Sequence, residues 1–339
     1  MRLHCAVDLH GNNGYYGIVD QTGKRLFSKR LPNSLPVVLE ALEPFREGLA
    51  DGVVVESTFN WYWLVDGLNE NGYRPRLANP AAMQQYDGLK NTDDETDAFF
   101  LTEMSRLGIL PEGHIYPKEE RPLRDLLRRR LLLVRHRTAH TLSFQNLIAR
   151  ERGEQISCNQ IRKLWPEEVK PFFDDQRLVL MGQTNIETIR FMTKQIRQIE
   201  KVVLAEIKLK PEYEKLLTVP GIGQILALTI MLETGDISRF KKVGNYSSYC
   251  RCVKSLRKSN EKKKGENNRK NGNRYLDWAY VEAANFIRRY CPEAKRWHQR
   301  KAARSMQVVA TKALASKICK ACYFIIKDQV DFDVKKIFG

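Results

Sequence analysis

Nowhere in the 339 residues is there the roughly 18-residue uninterrupted apolar run that a membrane-spanning helix needs. The first residues, Met-Arg-Leu-His-Cys-Ala-Val-Asp, lack the apolar core of a secretory signal. Cysteine is sparse and odd in number: Cys5, Cys158, Cys250, Cys252, Cys291, Cys319 and Cys322. These absences argue against a membrane protein and against a secreted, disulfide-stapled scaffold; a reducing cytoplasm is the expected compartment. Acidic residues are in deficit, 40 Asp plus Glu against 57 Lys plus Arg, which leaves a formal charge of +17. Such a surplus, clustered rather than spread, points to a polyanionic partner, because basic surface displaces the counterions of a phosphate backbone. Disorder is excluded by a hydrophobic content of 42%, and single cores rarely exceed about 250 residues, so two or three units are expected.

The pair Cys319-x-x-Cys322 invites a zinc or redox reading. No second Cys or His pair stands at matching spacing, and the flanking Ala-Leu-Ala-Ser-Lys-Ile and Tyr-Phe-Ile-Ile read as apolar helix. Core cysteines are expected there.

Residues 1–110 read as alternating α/β. Strands are expected at Leu3–Leu9, Tyr15–Val19, Arg25–Leu31, Gly52–Glu56 and Arg74–Ala78, with helices at Leu35–Glu47, Phe59–Glu70 and Asp93–Arg106. Three meandering strands followed by alternating helix and strand is the order of a ribonuclease-H-like fold. Residues 111–210 change character. Between Lys118 and Arg152 there are ten basic residues against four acidic ones, with Leu123, Leu126, Leu127, Leu131 and Val134 at helical spacing. A second long helix is expected at Gln183–Ile207, so the pair predicts a helical hairpin or coiled-coil arm, or else a helical subdomain. Residues 211–339 read as mainly helical. Leu217-Thr-Val-Pro-Gly-Ile-Gly223 leads into an apolar helix from Ile225 to Glu233, as in a helix-hairpin-helix element whose backbone N–H groups hold a phosphate. Arg251–Arg274 carries ten basic and two acidic residues and almost no large apolar side chain; it predicts a solvated loop or a nucleic-acid surface. Arg288, Arg289, Lys295, Arg296, Arg300, Lys301 and Arg304 make a further basic face.

Four carboxylates stand out by position. Asp8 ends the first strand, Glu56 ends the continuous Val run, and Asp94 and Asp97 lie three apart on one helix face. Ligands of such sheets gather outside the carboxyl ends of the strands. Four converging carboxylates repel unless they hold cations, and hard oxygen donors suit Mg²⁺ or Mn²⁺, a metal pair of which assists phosphoryl displacement. Each carboxylate alone also reads as a turn or cap residue, and on spacing Asp93 and Glu95 compete with Asp94.

At this point the chain resembles a known family. Ala6-Val-Asp-Leu-His10, Val55-Glu-Ser57, Ala78-Asn-Pro80, Thr92-Asp-Asp-Glu-Thr-Asp-Ala98 and Val219-Pro-Gly-Ile-Gly223 resemble the DEDD transposases of the IS110 insertion sequences, relatives of the pilin-gene inversion recombinase, over essentially the whole chain. Departures are Asn91 in place of the usual Lys and one extra acidic residue in the Thr-Asp motif. The resemblance implies a RuvC-like domain holding Asp8, Glu56, Asp94 and Asp97. It also implies a C-terminal domain with a serine nucleophile ahead of a Lys-rich stretch and Gly-Asn-Arg. Matching back from Gly272-Asn-Arg274 places that serine at Ser259 rather than Ser255, with Glu261 where many relatives have Gly. Strand exchange through a 5′-phosphoserine, donor and target DNA, a structured bridge RNA, homodimers assembling to a tetramer, and a nucleoid-associated bacterial setting follow as expectations. Arg128, Arg129, Arg130, Arg257, Lys258, Lys262, Lys263, Lys264 and Arg274 are the expected nucleic-acid contacts. A hydrolytic resolvase-like nuclease and a non-enzymatic nucleic-acid packaging protein are the rival readings.

Overall fold

A computed structural model describes residues 1–83, 93–206, 210–254, 257–260, 262–265 and 271–339. Ser255, and the side chains of Arg257, Lys258, Ser259 and Lys263, fall outside the described residues. The chain divides into two compact units, Met1–Lys118 with Ser255–Asn271, and Glu119–Lys254 with Gly272–Gly339.

The first unit is mixed α/β. It runs β1 (Leu3–Leu9), β2 (Asn13–Asp20), β3 (Arg25–Pro32), α1 (Leu35–Leu42), β4 (Val53–Glu56), α2 (Tyr62–Glu70), β5 (Pro75–Ala78) and α3 (Asp94–Arg106). The five strands form one sheet in the order β3-β2-β1-β4-β5, antiparallel from β3 to β1 and parallel from β1 to β5. Helix α1 is shorter than the expected Leu35–Glu47. Pro44 opens a 3-10 segment at Glu43–Gly48, because a proline ring cannot accept the preceding helical geometry inside an α-helix.

Strand parity decides where the sheet's side chains go. Leu3, Cys5, Val7 and Leu9 of β1, with Val53 and Val55 of β4, point into one core, beneath α1 and α2. Ala6 and Val54 point the other way and pack with Leu101 of α3. Ala6 pairs with Val54 in parallel register, so Asp8 and Glu56, each two residues further on, share the α3 face. Helix α3 lies close on that face: a Cβ added at Gly17 would sit 3.2 Å from the Phe99 ring.

The second unit is mostly helical. Helices α4 (Arg121–Arg152), α5 (Cys158–Ile161) and α6 (Gln176–Ala205) come first. Contacts Arg130–Glu200, Arg137–Thr193 and His140–Asn185 run in opposite directions along α4 and α6, so the pair is antiparallel. Phe144, Leu147 and Ile148 meet Ile186 and Ile189 in a small core of their own. The second helix begins earlier than the expected Gln183, because Asp175 caps it by accepting from the Arg177 N–H. Next come α7 (Pro211–Leu217), α8 (Gln224–Thr234) and α9 (Val243–Tyr249). The two strands β6 (Arg257–Ser259) and β7 (Lys262–Gly265) form an antiparallel hairpin that groups with the first unit. A solvated loop or nucleic-acid surface is expected there rather than strands, because lysines and arginines carry no alternating apolar signal. The chain closes with α10 (Arg274–Tyr290), α11 (Pro292–Ala302), α12 (Gln307–Asp328) and α13 (Val334–Phe338).

The turn at Val219–Gly223 joins α7 to α8 and is packed inward. A Cβ on Gly221 (φ +92°) would lie 2.5 Å from the Ile287 backbone nitrogen, so glycine lets the turn seat against α10. Cys319 and Cys322 are buried core residues of this unit. The fold also brings Cys250 and Cys252 beside Cys319, a proximity that the separation in sequence hides. Burial pushes Cys250, Cys319 and Cys322 up, the last to about 12, and Cys252 is raised by its bond to Cys319 and then by burial. They pack as protonated core thiols. No helix among the described residues is long and apolar enough to cross a membrane.

Candidate metal centre

At the carboxyl ends of β1 and β4 the fold assembles a group of like charges. Asp8 is only 4% exposed. Glu56 hydrogen-bonds to it, and burial, then this bond and the Asp8 and Asp97 charges, push the Glu56 carboxyl up to about 8. Asp97 is also pushed up, first by burial and then by Asp8 and Asp94. The four carboxylates expected from the sequence therefore form one electrostatically coupled set on the α3 face.

Helix geometry sorts the three consecutive acids at the start of α3. Asp93 is the N-cap: its side chain accepts from the Thr96 N–H at 2.8 Å, and bonds from the Thr96 side chain and then from this N–H hold its carboxylate below the ordinary range. Glu95 turns away to Arg25 and Ser28, each at 3.0 Å. Asp94 is the residue that reaches the strand ends. A ligand atom each from Asp8, His10 and Asp94 lies within 4.8 Å of the others.

Two residues at this centre were not among the expected site residues. His10 Nε2 stands 3.1 Å from Asp8 Oδ2 and 3.2 Å from Asp94 Oδ1, and Arg30 Nη2 stands 2.6 Å from Asp94 Oδ2. The spacing Asp8-x-His10 held a signal, since residues two apart on an extended chain share a face. Arg30 held none; it comes from β3, two strands away.

The donor set fits a hard divalent cation. Carboxylate oxygens predominate. Buried Asp8 Oδ2 has no hydrogen-bond partner, for His10 is close but not aligned to donate. Burial first, and repulsion by neighbouring carboxylates after it, raises Glu56 and Asp97, the opposite of what structural ion pairs do. A cation held at this centre would relieve that repulsion.

The expected nucleic-acid contacts fare differently from one another. Arg129 is exposed, as are Lys262, Lys264 and Arg274. Arg130 is bound to Glu200 at 2.6 Å. Arg128 makes a two-pronged pair with Glu233, at 2.5 and 2.7 Å, and lies over the Tyr275 ring. Glu233, 2% exposed, also accepts from Asn273 Nδ2 at 2.7 Å. Asn273 in turn caps α10, accepting from the Tyr275 and Leu276 N–H groups. The Gly272-Asn-Arg274 sequence is thus a structural joint. Gly272 (φ +91°) leaves 2.6 Å between a would-be Cβ and the Tyr249 carbonyl oxygen, and Asn273 locks the helix start to a buried carboxylate. Ser259 is paired with Lys262 at the turn of the β6–β7 hairpin, where Asn260 takes the left-handed conformation (φ +49°) that asparagine tolerates.

Comparison with known proteins follows both units. Residues 5–150 match DEDD_Tnp_IS110, a transposase family, and residues 213–299 match the Transposase IS116/IS110/IS902 family. A "Probable family 20 transposase" of Pseudomonas aeruginosa is 24% identical over 276 residues, covering 78% of this chain and 80% of that protein.

Proposed function

The chain belongs to the IS110 family of transposases, enzymes that cut and join DNA, and from that premise we propose that it is a site-specific recombinase with a divided chemistry. The acidic centre at Asp8, Glu56, Asp94 and Asp97 assists the phosphate, and Ser259 is the nucleophile. The observation that carries this reading is the convergence of Asp8, Glu56, Asp94 and Asp97 at the ends of β1 and β4 of a mixed sheet of ribonuclease-H-like order. Grouping of the Ser259 hairpin with the same compact unit supports it.

Mg²⁺ or Mn²⁺ held by these carboxylates supplies positive charge to the phosphate oxygens of the reacting strand. The protein's own groups do the rest. Ser259 Oγ attacks phosphorus, the P–O3′ bond breaks, and the 3′ oxygen leaves as a hydroxyl. The bond energy is retained in a 5′-phosphoserine. Attack by another strand's 3′-hydroxyl then breaks the Ser259 ester and returns the serine. Lys262 and Lys264, both exposed, together with Arg257, Lys258 and Lys263, would balance charge on the phosphates. Donor and target DNA are the substrates, a structured bridge RNA the guide that pairs with both, and a tetramer built from dimers the assembly that brings four strands together. The antiparallel α4–α6 pair is the arm that would join two copies.

Trapping the reaction, digesting the DNA and mapping the residual phosphonucleotide by peptide mass spectrometry tests the reading. The adduct is expected on Ser259, absent in Ser259→Ala and retained in Ser255→Ala. Free 5′-phosphate ends with no adduct would replace the recombinase by a hydrolytic nuclease. An adduct on Tyr275 would replace the nucleophile.

A further inference from the structure

Four partly buried arginines among the described residues are matched to carboxylates: Arg76 to Glu112, Arg106 to Glu103, Arg128 to Glu233 and Arg130 to Glu200. Arg288, in the last turn of α10, is held differently. Its Nη1 donates to His298 Nε2 at 3.2 Å and its Nη2 to Asn285 Oδ1 at 2.9 Å, while its Nε is buried without a partner. Among the described residues no carboxylate stands at ion-pair distance from it. A guanidinium withdrawn from water and held only by neutral groups keeps its charge for something else.

The neutrality of the holding group is itself built in. His298 is 4% exposed, and burial, then the Arg288 charge, lowers its proton affinity. The imidazole is therefore neutral at physiological pH. Nε2 accepts from Arg288 and lies 3.0 Å from Thr311 Oγ1, and the ring also hydrogen-bonds to the Gln307 backbone. One buried ring thus ties α11 to the start of α12 and fixes the guanidinium at the end of α10.

Arg288 faces a cleft of about 520 Å³ lined by these three helices. Exposed Arg289 and Lys295 lie on its wall, with Asn285, His298 and Gln307 between them. Its carboxylic residue, Glu282, is pushed upward by burial, which weakens its opposition to an anion. The cleft is open and cationic, with one preorganised guanidinium and two exposed rim charges. That composition suits a phosphodiester, whose paired oxygens match a guanidinium fork.

We infer that the α10–α11–α12 cleft seats the phosphate backbone of duplex DNA, with Arg288 as its anchor and Arg289 and Lys295 on the adjoining phosphates. The inference rests on the protein's acting on DNA and is independent of Ser259 and the acidic centre. Contacts of this kind position a duplex without reading its sequence.

The full-length protein and a fluorescent duplex of scrambled sequence, titrated at several salt concentrations, give the test. Arg288→Gln and Lys295→Gln should each weaken binding on the order of tenfold at low salt and reduce the salt slope by about one. Arg177→Gln, at an exposed arginine already paired with Asp175, should leave the slope unchanged. Thermal melts show whether Arg288→Gln still folds; Lys295→Gln, on an exposed rim residue, carries the test if it does not. Unchanged slopes in both cleft variants would overturn the inference. A slope lowered by Lys295→Gln but not by a folded Arg288→Gln would overturn the anchor and leave a plain basic surface. Inorganic phosphate that raises the melting temperature of the wild type but not of Arg288→Gln, with the duplex slopes unmoved, would make the cleft a small-anion seat instead. A Ser259→Ala protein that binds DNA with the wild-type slope but exchanges no strands leaves the inference standing.

Discussion

Two buried carboxylate sites in this chain have opposite electrostatics. In the helical unit, Glu233 is surrounded by donors: Arg128 on two sides and Asn273 on a third. In the α/β unit, Asp8 and Glu56 face each other and Asp97, with His10 beside Asp8, and Glu56 is pushed to about 8 by burial and these charges. Both sites cost desolvation, and only the first recovers it from the protein's own groups. A satisfied buried charge holds a fold together; an unsatisfied set of like charges marks a place kept ready for a cation.

The largest effect that tests this contrast is at Glu233. Replacing it with Gln leaves Arg128 without its counter-charge, and the expected loss is about 3–5 kcal/mol in chemical denaturation. Asp8→Asn should do the reverse, leaving the metal-free protein unchanged or more stable by up to about 1 kcal/mol, while recombination falls at least about a hundredfold. Equal destabilisation by both variants would erase the distinction.

The pH dependence of the metal-free protein should follow Glu56. Its folded-state carboxyl, at about 8, lies above the ordinary 4.5, so folding favours the protonated form. The stability it contributes is present below about pH 4.5 and lost as pH rises through 8. In chelator the melting midpoint should drift down across that window by roughly 1–3 °C, and Glu56→Gln should flatten the drift. Saturating Mg²⁺ or Mn²⁺ should reverse it, with protons released on metal uptake, detectable by calorimetry in buffers of different ionisation enthalpy. A drift identical in the wild type and Glu56→Gln would remove Glu56 from the coupled set.

The smallest effect separates neighbours. Asp93→Ala removes a helix cap and should cost about 1 kcal/mol with metal-dependent stabilisation intact. Asp94→Asn should keep the helix and lose that stabilisation. Thermal shifts with and without metal compare the two, and the opposite assignment would move the site to Asp93.

Several parts of this centre were readable in advance because they depend on local periodicity. Asp8 and Glu56 end strands whose alternation fixes the face they use, and Asp94 and Asp97 sit three apart on a helix that begins at a cap. The rest depended on partners distant in sequence. Choosing Asp94 over Asp93 and Glu95 required Arg25 and Ser28 to draw Glu95 aside. The basic run at the start of α4 looked like one surface, yet Arg128 and Arg130 turn to Glu233 and Glu200, 105 and 70 residues away.

The sequence by itself determined a mixed α/β unit followed by helices, acidic residues at two strand ends and one helix start, and the excess of positive charge, since parity, helical spacing and composition act over a few residues. The tertiary structure alone decided that His10 and Arg30 join the acidic centre, that Cys250 and Cys252 lie beside Cys319, that Asn273 is a cap bound to a buried Glu233, and that Arg288 is held without a counter-charge. Each of these is a choice of partner between segments far apart in the chain, and packing makes such choices after local periodicity has done all it can.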